Sequence, residues 1–356
     1  MKIELKDAGR LKLPTGVMDL DVEAAGQAAY AASLDGIYRV PLEKGEATRV
    51  GTHAQWASGI ALVDEDRRLV SAGYDGKLQF RDLGKEEPDQ ITDAHSFWSW
   101  KLAVSPDRRR VASVSGQYLA GGLKYEPRPA EEPTVKVFDA VDGTQTHAFD
   151  FLPSVQAVAF HPGGDYLAAA NLMGDIGVWD LQSGESVAHW RTPDFTSWGI
   201  IKSHCYIGGI HALVFAADGE SLYAAGMGPM RDPMAGNSRQ LWQRFAWRED
   251  PPQKLSETNK DQAGEGLMEA LAMHPAGEWF VMAGRLRGGD WNVGLFSVES
   301  GERIGFLKTG IRVTSARFSP DGGRLYLGGM SNQPGPKDGR WPEFGIIDRY
   351  EITVTA

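Results

Sequence analysis

The chain has 356 residues, a formal net charge of −10 and one cysteine. A net negative charge of this size disfavours binding to a phosphate backbone, and a single cysteine excludes an intramolecular disulfide framework. The sequence contains no apolar run of membrane-spanning length and no signal-peptide core near its start, so we expect a soluble, cytoplasmic protein that binds neither nucleic acid nor membrane.

The first predicted element is a lone strand over residues 3–13, where charged and aliphatic residues alternate. From residue 17 onward, short apolar runs alternate with turn residues. The first group of runs lies at 17–22, 28–33, 37–41 and 48–51. Asp35-Gly36 separates its second and third runs, and an Asp-Gly pair suits the tight turn of a β-hairpin. The group therefore predicts a four-stranded antiparallel meander.

The stretch 154–190 is the clearest copy of this unit. Its four apolar runs are separated by His161-Pro162-Gly163-Gly164, Gly174-Asp175 and Gln182-Ser183-Gly184. Gly tolerates positive φ and Pro fixes φ, so each break has the chemistry of a turn. The runs are apolar almost throughout, which predicts a sheet covered on both faces. Because one such sheet cannot cover its own faces, several copies should be arranged radially.

Alignment on the turn after the first strand of each copy predicts an all-β, seven-bladed β-propeller in a single domain, 1–356. The seventh copy ends after three strands, so we expect the strand over 3–13 to pair into it and close the ring. Six or eight blades remain alternatives. The approximate blade bounds are 14–52, 53–94, 95–150, 151–192, 206–258, 264–308 and 309–356.

Several of these motifs resemble the WD-repeat family of β-propellers. They are Val178-Trp179-Asp180, the Pro-Gly turn at 162–164 and Ser319-Pro320-Asp321-Gly322. The repeats are degenerate, which suggests a bacterial-type member. The resemblance implies a scaffold that binds a protein or peptide, with no cofactor. It also assigns a structural hydrogen-bond network to His53, Ser71 and Asp75, with His95 and Ser113 as the partial equivalent in the third unit.

Chain length varies mainly at one rim of the predicted ring. The connections between second and third strands, and between successive units, hold the insertions at 116–133, 191–207, 227–239, 285–291 and 330–342. Loops on a rigid scaffold often carry binding residues, and Trp, Tyr and Arg are enriched in binding hot spots. The alternative is that these side chains pack on one another as a lid. The candidates in these insertions include Tyr118, Tyr125, Trp198, Arg231, Arg239, Arg285, Trp291 and Trp341.

A register argument adds two tryptophans to this rim. His53 and His95 occupy equivalent positions, and Trp56 and Trp98 each follow three residues later, in the slot that Arg312 occupies in the last unit. Two adjacent indoles suggest an apolar anchor for a partner, and packing beneath neighbouring loops is the alternative.

We therefore predict a non-enzymatic scaffold that binds a protein or peptide and could belong to a larger assembly. The alternative is a small-molecule or metal-dependent propeller enzyme, of lyase, lactonase or hydrolase type, with its site at the axial opening. His53, Ser71 and Asp75 have the residue types of a nucleophilic triad, but the structural network is the preferred reading. We expect no metal site, although His204, Cys205 and His211 are the best candidates for one.

Overall fold

The computed structural model describes residues 2–43, 45–85, 87–117, 129–198, 206–232, 237–331 and 342–355. Within these ranges the chain forms β-strands and two short 3-10 helices, at Pro193–Phe195 and Lys260–Gln262. Neither helix is long and apolar enough to cross a membrane.

The first half of the chain forms antiparallel four-stranded sheets, each built from consecutive strands. Strand β1 (Lys2–Leu13) precedes them. The first sheet contains β2 (Val17–Val22), β3 (Ala28–Ser33), β4 (Gly36–Pro41) and β5 (Thr48–Gly51). The second contains β6 (Ala57–Val63), β7 (Arg68–Gly73), β8 (Lys77–Asp82) and β9 (Gln90–Asp93).

The next two sheets repeat this order. The third contains β10 (Lys101–Val104), β11 (Arg110–Val114), β12 (Val135–Asp139) and β13 (Gln145–Phe149). The fourth contains β14 (Val155–Phe160), β15 (Tyr166–Asn171), β16 (Asp175–Asp180) and β17 (Ser186–Arg191).

Two further four-stranded units are joined into one nine-stranded sheet, because Arg239 pairs with Glu265 across them. The fifth unit contains β19 (Tyr206–Phe215), β20 (Leu222–Asp232), β21 (Asn237–Ala246) and β22 (Gln253–Glu257), with β18 (Thr196–Trp198) added beside β19. The sixth unit contains β23 (Glu265–Met273), β24 (Trp279–Gly288), β25 (Val293–Ser297) and β26 (Arg303–Leu307).

The last sheet combines the two ends of the chain. It contains β27 (Arg312–Phe318), β28 (Arg324–Met330), β29 (Gly345–Thr355) and β1. Strand β1 pairs antiparallel with β29 from Lys2 opposite Thr355 to Leu13 opposite Gly345. The N-terminal strand is thus the outer strand of the sheet formed by the C-terminal residues, as the sequence predicted.

The hydrophobic core lies between successive sheets, not inside one central layer. For example, Tyr30 and Ile37 of the first sheet pack with Leu62 of the second. Equivalent clusters lie between every following pair, and Leu20 of the first sheet packs with Tyr326 of the last. Both faces of each sheet are therefore covered, which explains why the strands are apolar throughout. The fold is all-β and consistent with a β-propeller.

The strands predicted at 3–13 and in the first group of runs agree with the structure to within one residue, but three of the predicted insertions are partly regular. Within 227–239, β20 and β21 continue their pairing, and the third strand of this unit begins at Asn237. Strand β24 extends to Gly288 through the insertion predicted at 285–291. The insertion at 191–207 contains a 3-10 turn and β18. Extended hairpins continue the strand pairing, so these residues satisfy their backbone hydrogen bonds within the sheet.

Candidate functional site: an aromatic platform and an axial channel

Two exposed tryptophans lie beside each other at the rim where the second and third sheets meet. The exposed fraction is 46% for Trp56 and 36% for Trp98. Tyr74 lies between them, stacked on Trp98 with ring centroids 4.6 Å apart and 5.6 Å from Trp56. Phe97 lies 5.1 Å from Trp98, and Trp100 lies edge-on to both Trp98 and Tyr74, at 5.2 and 5.3 Å. We call these five rings the aromatic platform.

A shallow cavity of about 400 Å³ opens beside the aromatic platform. Its walls include Asp35, His53 and the rings of Trp56, Tyr74 and Trp98. Burial is the main reason that the pKa of Tyr74 is raised to about 12, so its hydroxyl stays neutral at physiological pH. The surface therefore offers aromatic faces, a composition typical of a protein-binding hot spot.

The turn Asp75-Gly76 positions Tyr74 on this rim. Gly76 has φ +76°, and a Cβ at this position would lie 2.1 Å from the carbonyl oxygen of His95. The loop that carries Trp98 can therefore pass directly over the turn, and the Gly76 carbonyl accepts hydrogen bonds from the backbone N–H groups of Ala94 and His95. Only glycine combines this φ with so close an approach.

The side chains of His53, Ser71 and Asp75 form a hydrogen-bonded network beneath the platform. His53 Nδ1 lies 3.0 Å from Asp75 Oδ1, and its Nε2 lies 2.9 Å from Ser71 Oγ. Burial raises the pKa of Asp75, but hydrogen bonds from His53, Ala54 and Lys77 outweigh it and leave the pKa below its usual value. Ser71 is buried. A buried hydroxyl cannot meet a substrate, so the geometry favours the structural interpretation over a catalytic triad.

The third sheet keeps half of this network and replaces the rest. His95 Nε2 lies 3.0 Å from Ser113 Oγ, but its Nδ1 has no hydrogen-bond partner within the described part of the chain. Glu132 accepts hydrogen bonds from the backbone N–H and hydroxyl of Ser96 and from Lys136. Burial raises the pKa of Glu132, but these bonds lower it to about 2. Glu132 thus holds the residue after His95 in place, as Asp75 does for Ala54 after His53.

The burial of His95 predicts a measurable pH dependence. Burial is the main cause that lowers the pKa of His95 to about 3. The pKa of an unfolded-state histidine is near 6.5, so at pH values between that value and the folded-state pKa the unfolded chain binds a proton that the folded chain does not. His95 therefore lowers the unfolding free energy by about 1.4 kcal/mol for each pH unit by which the pH falls through this range. We expect the wild type to lose more unfolding free energy than His95→Gln when the pH falls from 7 to 5. Urea unfolding of both proteins at pH 7 and pH 5 measures this loss. An equal loss in the two proteins would contradict the lowered pKa of His95.

A second feature is a channel of about 610 Å³ lined by the first strand of each four-stranded unit, β2, β6, β10, β14, β19, β23 and β27. Lys101, His211 and Glu269 enter it from three different units. Arg312 holds Glu269 through two hydrogen bonds of 2.5 and 2.6 Å. His211 and Glu269 both lie at β-bulges, where the extra residue redirects a side chain. Polar groups from several sheets therefore converge on the channel.

The other predicted binding residues are not brought together at the platform. Trp291 is 2% exposed and donates from Nε1 to the carbonyl oxygen of Gln262, so the expectation of a surface anchor was wrong for this residue. Arg239 pairs with Glu257 at 3.2 Å. Arg285 is exposed at the end of β24. Trp198 and Arg231 lie in strands, and Tyr118, Tyr125 and Trp341 lie outside the described residues, as do His204 and Cys205.

Among the residues that sequence reasoning missed are Tyr74 of the platform, Lys101 of the channel and Glu132 beside the platform. Tyr74 could have been found, because it precedes an Asp-Gly turn on the rim that carries Trp56 and Trp98. Lys101 directly follows Trp100, but nothing in the local pattern shows that it faces the channel. Glu132 replaces an aspartate from across an insertion, so no fixed spacing identifies it.

No family model matches the chain. It is 30% identical over 158 residues to the human U3 small nucleolar RNA-associated protein 4 homolog, covering 44% of this chain and 20% of that protein. It is 26% identical over 154 residues to nuclear distribution protein PAC1 of Arthroderma otae, covering 39% of this chain and 32% of that protein. It is 28% identical over 203 residues to nuclear distribution protein PAC1-2 of Uncinocarpus reesii, covering 51% of this chain and 43% of that protein.

The chain thus spans less than half the length of each of these relatives. They are WD-repeat proteins, which supports the resemblance at low identity. They come from human and fungi, so the expectation of a bacterial-type protein is not supported.

Proposed function

We propose that this protein is a non-catalytic scaffold that binds a protein or peptide partner at the aromatic platform. The observation that carries the proposal is the pair of exposed tryptophans, Trp56 and Trp98, ordered around Tyr74. Other large exposed apolar side chains, such as Ile91 and Phe306, lie on outer strands without such a cluster. Clustered indoles exposed to water are costly unless a partner covers them.

The scaffold we infer is a seven-bladed ring closed by β1, with the blade bounds predicted above. Two observations support it. The first strands of consecutive sheets lie side by side, and β27 of the last sheet also lies beside β2 of the first. A hydrophobic cluster joins the same two sheets. The relatives, which are WD-repeat proteins, support an interaction scaffold as the general function. A cytoplasmic location and membership of a larger assembly are parts of the same proposal.

The enzyme alternative would place its site in the axial channel, where polar side chains do converge. Each carboxylate that lines the channel is already paired with a guanidinium: Asp19 with Arg317, Asp21 with Arg108 and Glu269 with Arg312. Among the residues that the structure describes, no group of His, Cys, Asp and Glu has the arrangement of a metal site. The aromatic platform is therefore the better-supported site.

The test compares three baits in a lysate of the source organism: wild type, Trp56→Ala/Trp98→Ala, and Ile91→Ala/Phe306→Ala. We expect the platform variant to lose a partner that the other two baits retain, and binding of that purified partner to weaken by at least tenfold, as for removal of hot-spot aromatics. The control bait, Ile91→Ala/Phe306→Ala, also removes two exposed apolar side chains, but ones that lie outside the aromatic platform. Equal capture by all three baits would contradict the proposal, provided that their melting temperatures agree.

A further inference from the structure

The axial channel has the size and the wall of a small-molecule site. Its volume of about 610 Å³ lies within the usual range for ligand pockets. Much of its wall is built from alanines on different first strands, among them Ala103, Ala157, Ala212, Ala270 and Ala316. Alanine methyl groups leave room along the axis and present an apolar surface. These methyl groups offer a contact surface to a molecule with an apolar body.

The charges of the channel do not all cancel locally. Its three carboxylates are each held by an arginine, as described above. Lys101 is different, because no ion pair to its ammonium is found in the described ranges. Lys101 Nζ instead reaches across to the last sheet, where it donates a long hydrogen bond of 3.4 Å to the carbonyl oxygen of Thr314. One ammonium in the channel is thus left without a countercharge.

The imidazole of His211 faces the same space. Burial is the largest effect on the pKa of His211 and lowers it; the charge of Glu269 and a hydrogen bond to the Gly208 backbone raise it, and the positive charges of Lys101 and Arg312 lower it by smaller amounts. The net effect lowers the pKa, so the ring is neutral at physiological pH, and its one N–H donor is taken by the Gly208 backbone. The ammonium of Lys101 is therefore the group that a ligand charge would meet, and it matches a single negative charge.

We propose that the channel binds a small aliphatic monocarboxylate, with its carboxylate at Lys101, near the ring of His211, and its hydrocarbon chain against the alanine wall. The channel shares no lining residue with the cavity beside the aromatic platform, and the proposal does not depend on the proposed scaffold function. The carboxylate would supply the countercharge that Lys101 lacks, and the alkyl chain would remove apolar wall from contact with water.

Hexanoate and its neutral analogue hexanamide are suitable probes, because they differ in charge and little in shape. Titration is followed by calorimetry and by the imidazole NMR signals of His211 and of His189, which is exposed on an outer strand. We expect hexanoate to bind saturably and to shift only the His211 signal. Loss of the charge-assisted contact in hexanamide should weaken binding by at least about tenfold.

Two lysine variants test the position of the carboxylate. Lys101→Met keeps the aliphatic stem and removes the charge, and we expect at least about tenfold weaker hexanoate binding. Lys85→Met removes a lysine of an exposed surface ion pair and should bind like the wild type. Trp56→Ala/Trp98→Ala should also bind hexanoate normally, which separates this proposal from the platform.

Three results would overturn the proposal: no saturable binding of hexanoate up to about 50 mM, equal binding of hexanamide, or an unchanged affinity in Lys101→Met. If Lys101→Met does not fold, the imidazole NMR signals of the wild type still test the proposal. The proposed site is wrong if hexanoate shifts the His211 signal without saturation, or if it shifts the His189 signal equally.

Discussion

A chain that lacks residues 1–13 is expected to lose its cooperative thermal unfolding transition and to aggregate, because β29 would become an open edge strand. The N-terminal strand does more than cover this edge. Arg10 donates to both carboxylate oxygens of Asp348, at 2.6 and 2.8 Å. Leu13 is fully buried in the cluster that joins the last and first sheets, and Ile3 packs on Trp279 of the sixth sheet. Its removal therefore weakens two inter-sheet layers as well as the sheet itself.

The same experiment has a rescue arm. A synthetic peptide of residues 1–13 should restore folding of the truncated chain when added in excess, since folding would then be linked to peptide binding. A peptide with Ile3→Asp and Leu13→Asp keeps the backbone donors but loses the buried contacts, and we expect it to fail. Circular dichroism melting curves and size-exclusion chromatography measure both arms. A truncated chain that melts within a few degrees of the full chain would contradict the inferred closure by β1.

Replacement of Asp19 by alanine is expected to cost about 3 kcal/mol of unfolding free energy, the range for loss of a buried, hydrogen-bonded charge. The carboxylate of Asp19 is 2% exposed. In the last sheet it accepts hydrogen bonds from Ser315 Oγ at 2.7 Å and Arg317 Nη2 at 3.2 Å. It also accepts one from the backbone N–H of Ile60 in the second sheet, at 3.3 Å. One side chain thus ties the first sheet to the sheets on both of its sides.

The matched control is Asp93→Ala, which removes a carboxylate that is 84% exposed and paired with Lys77 on an outer hairpin. Surface ion pairs contribute little, so the expected loss is below about 1 kcal/mol. The loss of unfolding free energy in Asp19→Asn should lie between the losses in Asp19→Ala and Asp93→Ala, because the amide keeps an acceptor oxygen but not the charge. Urea unfolding of the three variants gives the comparison. Equal stability of Asp19→Ala and Asp93→Ala would show that the contact between the first and last sheets is not important for folding.

The turn chemistry and the apolar runs already determined the strands of this protein and their grouping into meanders. Asp35-Gly36 and the Pro-Gly turn at 162–164 act over a few residues, and strand length and turn type depend on such local interactions. The same holds for the rim position of Trp56 and Trp98, which follows from counting along a repeated unit. The prediction that β1 joins the last sheet followed because the seventh unit lacked a strand.

Contacts between sheets could be decided only by the tertiary structure. Tyr74 and Trp98 are separated by a whole strand pair, and their stacking depends on the loop that passes over Gly76. Trp291 appeared to be a loop residue, but the extended pairing of the sixth sheet places its ring in a buried cluster. In the channel, bulges at His211 and Glu269 set which side chains face the cavity. A bulge shifts strand register by one residue, and the apolar pattern along a strand covered on both faces does not reveal where that shift occurs.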